Sequence, residues 1–142
     1  MSKPILCMDF DGVIHSYTSG WVKSDFIPDP PVPGAFAFLA EAVQHFRVKI
    51  YSSRSSRQDT SDGGDGIRAM RLWVEYWAKR ELPNEPPEYS ANAVINAVAW
   101  NNDAWPERKP AAFLTIDDRA LTFNGTWPSI EELCAFKPWN KR

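Results

Sequence analysis

Asp9 and Asp11 stand two residues apart at the end of the apolar run Ile5-Leu6-Cys7-Met8, and Gly12 follows them. Apolar residues running into turn chemistry read as a buried parallel strand that ends at Asp9. Open α/β sheets bind ligands outside the carboxyl ends of their strands. Two carboxylates at that rim repel each other unless a cation or a proton intervenes. A magnesium ion there would keep a carboxylate ionised and able to attack phosphorus. The same fragment also reads as an Asp-Gly turn in which Asp11 only caps a helix.

Three further stretches bear on that choice. Ala112-Phe113-Leu114-Thr115-Ile116 is a second apolar run ending in carboxylates, Asp117 and Asp118. Val48-Lys49-Ile50-Tyr51-Ser52 is a short β-rich run ending in a hydroxyl, followed by Ser53 and Arg54. Lys109-Pro110 lies just before the second acidic strand. Acidic pair, hydroxyl, lysine and acidic pair, in that order, resemble the haloacid-dehalogenase-like (HAD) phosphohydrolase superfamily, from Ile5 to about Trp139. The stretch from Lys109 to Gly125, with Trp127-Pro128, is similar to small HAD-like proteins common in phage and prophage sequences.

The resemblance implies a role for each residue. Asp9 would attack the substrate phosphorus and form an aspartyl-phosphate. Asp11 would protonate the leaving-group oxygen and then activate water, with its backbone carbonyl also on the metal. Asp117 would be a direct magnesium ligand, and Asp118 would act beside it or through water. Ser52 would donate to a transferring phosphoryl oxygen, with Ser53 as its rival should the strand end one residue later. Lys109 would neutralise phosphoryl charge. The backbone N–H groups of Phe10 and Asp11 would complete the cradle. Arg54 and Arg119 flank the site and would pair with Asp118, grip phosphate, or form a plain structural ion pair. His15 follows closely enough to reach the leaving group, but a solvated loop histidine is the expectation.

The elements that must position these groups follow from pattern. Strands are expected at about Lys3–Met8, Val48–Ser52 and, counted as a fourth, Ala111–Ile116. Helices are expected at Gly34–Phe46 and about Ile67–Lys79, from apolar residues at helical spacing, and after Ser129, which with Glu132 forms a capping box. Residues 85–107 fit helix and strand equally. Ser55–Gly66, polar with Gly63-Gly64, reads as a mobile loop. Tyr17–Pro33 carries Pro28, Pro30, Pro31 and Pro33 and reads as an irregular, flap-like insertion. Strands alternating with helices predict an α/β fold, a single Rossmann-like three-layer domain with a central parallel sheet. About twenty residues between Val13 and the next helix are too few for a folded cap domain, so a capless or minimally flapped enzyme is implied.

Composition removes other classes. The chain has 142 residues and a net charge of −2, enough for one cored domain over 1–142 and no electrostatic case for duplex nucleic acid. Two cysteines, one in a strand and one in a helix, make no disulfide framework. No secretory h-region and no membrane-length apolar stretch are read, so the cytoplasm is the expected compartment. Of the seven tryptophans, Trp73 and Trp77 share a helix face, while Trp21, Trp105 and Trp127 fall in loops, where core packing is favoured over ligand contact. The substrate expected is a phosphorylated small molecule, a nucleotide or a polynucleotide end, with Trp21 as a base-stacking candidate and no obligate protein partner. Passing the phosphoryl group to an alcohol, or a non-catalytic phosphate-binding module on the same scaffold, are the alternatives. A phospho-receiver domain is excluded because no aspartate ends the Val48–Ser52 strand.

Overall fold

In the computed structural model, residues 2–56 and 64–141 are described. Three strands, β1 (Ile5–Met8), β2 (Arg47–Ile50) and β3 (Leu114–Ile116), form a parallel sheet in the order β2-β1-β3. Met8 pairs with Ile50 on one side and Ile116 on the other. The ladder extends past the strand, with Asp9 N–H donating to Ile116 O at 2.9 Å and Tyr51 N–H donating to Met8 O at 3.1 Å. Asp9 is thereby fixed beside the residue that precedes Asp117, because β1 is central and both neighbours run its way.

The expected strands exist but are shorter. Lys3 and Pro4 lie outside β1, Tyr51 and Ser52 lie outside β2, and residues 111–113 lie outside β3, the third strand and not a fourth.

The helices follow the apolar periodicity. α1 (Ala35–His45) buries Phe36, Leu39, Ala40 and Ala42, and α2 (Gly66–Glu81) buries Ile67, Met70, Trp73, Val74 and Ala78. These pack with Leu6, Met8, Val48 and Ile50 of the sheet into one core. Each such side chain contributes on the order of 1.5–3 kcal/mol of burial before entropy is charged against it. The illegible stretch contains α3 (Ala91–Val94), which widens into a π-turn over Ile95–Ala99 closed by Trp100 N–H on Ile95 O at 3.0 Å. Ala91, Val94, Ile95, Val98 and Ala99 all face inward along it. Trp105 is core, as expected, with its indole N–H on Val98 O at 2.8 Å.

Tyr17–Pro33 is free of helix and strand, as its prolines require, yet well tied. Ser16 N–H donates to Pro30 O, Val32 N–H to Ile14 O, and the Trp73 indole N–H to Asp29 O, at 2.9, 2.8 and 3.2 Å. The expected mobile loop falls largely on residues 57–63, outside the described residues; Gly66, at its expected end, opens α2. Past β3 the chain is mostly exposed. Ser129 caps α4 (Ile130–Cys134) by accepting from Glu132 N–H. Trp127 is 83 % exposed, which overturns its expected place in the core. Cys7 is buried, Cys134 exposed, and both are free thiols. Among the described residues no helix is long and apolar enough to cross a membrane.

Candidate active site

The two acidic pairs meet because their strands are neighbours. Carboxylate oxygens of Asp9, Asp117 and Asp118 all lie within 4.8 Å of one another. Gly12 is what admits Asp118 to this cluster. It holds φ +81°, and a Cβ there would stand 2.3 Å from Asp118 Oδ2. Neither the backbone angle nor the contact tolerates a side chain.

Charge accumulates in the cluster. Burial pushes the Asp9 carboxyl up to about 8; a hydrogen bond shared with Asp118 and the charges of Asp117 and Asp118 act the same way, opposed by the Phe10 N–H. That N–H donates to Asp9 Oδ1 at 2.8 Å. The Phe10 amide, expected in a phosphate cradle, is therefore spent on the carboxylate of Asp9. Among the described residues, Asp118 Oδ1 is buried with no hydrogen-bond partner. Three oxygen donors, one of them orphaned and one strongly resisting ionisation, fit a hard divalent cation such as magnesium.

A cleft of about 210 Å³ opens beside the cluster, lined by Cys7, Asp9, Tyr51, Ser52, Ser53, Lys109, Thr115 and Asp117. The predicted hydroxyl and lysine thus share a wall with the predicted nucleophile. Ser52 is buried and caps the 3₁₀ turn Ser53–Ser55, its Oγ accepting from Arg54 N–H at 3.0 Å. Its own proton is directed at the Met70 sulfur, at 3.7 Å. Ser53 is exposed on the same cleft. Burial raises the Cys7 thiol above its ordinary range, and Lys109 nearby opposes that rise.

Asp11 lies apart from the trio. Arg54 Nε donates to both of its oxygens, at 3.1 and 2.9 Å, and His15 Nδ1 is 2.9 Å from Oδ1. The pairing of Arg54 is therefore with Asp11, not Asp118. His15 is fully buried, contrary to the expected solvated loop residue. Its burial follows from its place in a tight turn, where His15 N–H donates to Phe10 O and its ring stacks on Phe10 at 5.6 Å. The four-residue spacing from Asp11 was the available signal. Trp21 lies over the Arg54 guanidinium, 4.7 Å from ring centre to carbon, and stays about half exposed. Nothing in the sequence pointed to Trp139, whose indole N–H donates to Gly12 O at 2.7 Å and ties the C-terminal segment to the first acidic loop.

A larger hollow, about 470 Å³, lies among Leu121, Phe123, Trp127 and Leu133 and shares no lining residue with the acidic trio. Glu132 is the single ionisable group that lines it. No family model matches the chain, and neither curated proteins nor solved structures yield a match.

Proposed function

We propose that the chain is a magnesium-dependent phosphomonoester hydrolase of the HAD-like type, Rossmann-like in fold and working through an aspartyl-phosphate. The observation that carries this reading is the Asp9–Asp117–Asp118 cluster on a cleft that also holds Ser52 and Lys109. Asp9 attacks the phosphorus as the bond to the leaving oxygen breaks. Asp11 gives that oxygen its proton and then takes one from water, whose oxygen attacks phosphorus and breaks the bond to Asp9, releasing phosphate. Ser52 and Lys109 meet the charge on the transferring oxygens. Asp9, Asp117 and Asp118 would hold a magnesium ion, which would supply charge neutralisation for nucleophile and phosphate.

Nucleotides or polynucleotide ends are the favoured substrate class, because the half-exposed Trp21 ring offers a stacking face near Asp11. The cytoplasm, where nucleotides are found, suits that substrate. Purified protein with magnesium, assayed against a panel that includes nucleotides and terminally phosphorylated DNA and RNA, should release inorganic phosphate. Asp9→Asn, nearly isosteric, should lose at least about 10³-fold in rate while folding normally. A clean preparation of that variant which still turns over sinks the mechanism. Binding of phosphate esters without turnover by the parent protein would favour the non-catalytic reading instead.

A further inference from the structure

We propose that the Tyr17–Pro33 insertion is the positioning device for Asp11, acting through two buried arms, His15 and Arg54. The inference rests on the reading of Asp11 as the group that serves the leaving oxygen.

The first arm is a chain of directed hydrogen bonds. His15 Nε2 accepts from the backbone N–H of Asp29 at 3.1 Å, so that nitrogen carries no proton. The ring proton must then sit on Nδ1, which donates to Asp11 Oδ1 at 2.9 Å. Asp29 is itself anchored inside the insertion, its carboxylate accepting from Ser19 N–H at 2.8 Å and from Ser19 Oγ–H at 2.6 Å. Ser19, Asp29, His15 and Asp11 form one line from the insertion to the acid.

The second arm is Arg54. Nε grips both Asp11 oxygens, and Nη1 donates to the carbonyls of Lys23, Ser24 and Phe26 at 2.9, 2.9 and 3.2 Å. The Trp21 ring covers the guanidinium. Both arms are fully buried and Asp11 nearly so, with its side chain 12 % exposed. Among the described residues, Arg54 Nη2 is buried with no hydrogen-bond partner. Donors from two directions fix both the position and the rotation of the Asp11 carboxylate. Each of those donors has its far side in the insertion.

A proton donor held in place matters most when the leaving group is poor. An alkyl phosphate needs its departing oxygen protonated, whereas 4-nitrophenyl phosphate departs as a stable anion. His15→Leu and Arg54→Lys should therefore lower kcat/KM, which reports leaving-group departure and not the shared hydrolysis of the aspartyl-phosphate, about 10- to 100-fold more on an alkyl phosphate than on 4-nitrophenyl phosphate. His15→Asn, which keeps an N–H at the Nδ1 position, should recover most of the difference. Ser19→Ala, a change on the exposed end of the first arm, should show the same selective loss in smaller degree and keeps the test open if the buried variants fail to fold. Equal losses on both substrates, or a His15→Asn variant no better than His15→Leu, overturn the proposal while leaving the hydrolase reading intact. A parent protein inactive on both phosphates removes the hydrolase reading itself, and this inference with it.

Discussion

Asp9, the proposed nucleophile, carries the conflict that defines the site, since attack would need it ionised yet it lies in a partly buried cluster of like charge. Its carboxyl rises from 3.8 to about 8 for lack of water first and because of Asp118 and Asp117 next. The folded, metal-free chain therefore keeps a proton that the unfolded chain releases. The sign follows from linkage: the stabilisation is complete below about pH 4 and is lost as pH rises towards 8. In EDTA, stability measured by urea unfolding should fall over that window more steeply for the parent protein than for Asp9→Asn, whose amide does not titrate. Magnesium should flatten the parent's slope. Parallel slopes for parent and variant in EDTA would mean that Asp9 titrates normally. Gly12 belongs to the same conflict, because only a residue without Cβ lets Asp118 come this close.

Among the elements, the short turn Ser53–Ser55 does two jobs. Ser52 and Ser55 cap it reciprocally, Ser55 Oγ accepting from Ser52 N–H at 3.0 Å, and the turn aims Arg54 at Asp11. α2 begins against it so closely that a Cβ on Gly66 would stand 2.1 Å from Arg54 O. Ser52→Ala removes both a cap acceptor and the hydroxyl proposed for the phosphoryl oxygen. It should cost about 1 kcal/mol of stability and at least about tenfold in kcat/KM. Ser53→Ala should leave both within about twofold, because no hydrogen bond of the cap depends on its hydroxyl. Thermal unfolding and steady-state assays on the pair check this, and the opposite ranking in kcat/KM would move the role to Ser53. α1 and α2 were readable beforehand because long amphipathic periods override local ambiguity. The π-turn at Ile95–Ala99 was not, since Ala91, Val94, Ile95, Val98 and Ala99 keep the spacing of an ordinary helix and nothing in that pattern marks the widened turn.

For the whole molecule, metal and fold should be linked, because the acidic trio is assembled from the ends of two strands distant in sequence. Binding to the folded state alone adds about 2.7 kcal/mol at a hundred times Kd, enough to raise Tm by several degrees. Tm should climb with magnesium concentration and fall back in EDTA, and activity should follow the same titration. Asp117→Asn should remove most of the Tm response. A Tm indifferent to magnesium would leave the cluster without its proposed ligand.

The local chemistry was legible in the sequence because it is written in contiguous residues. An apolar run and the carboxylates that end it share one strand, so Asp9, Asp117 and Asp118 could be named together with the rim they occupy. Lys109 and the two serines were legible through order along the chain, and the proline-rich insertion through backbone restriction. What Asp11 touches could not be read. Its partners are Arg54, 43 residues away, and His15, whose burial depends on α2 bringing Trp73 against its ring at 5.6 Å. Burial of a polar side chain is decided by what packs over it, and that is a property of the assembled core. Tertiary structure alone decided that the two acidic loops meet around Gly12 and that Trp139 returns to close the first of them. Contacts between segments so far apart leave no periodicity and no local propensity, only a compact chain in which strand order has made them neighbours.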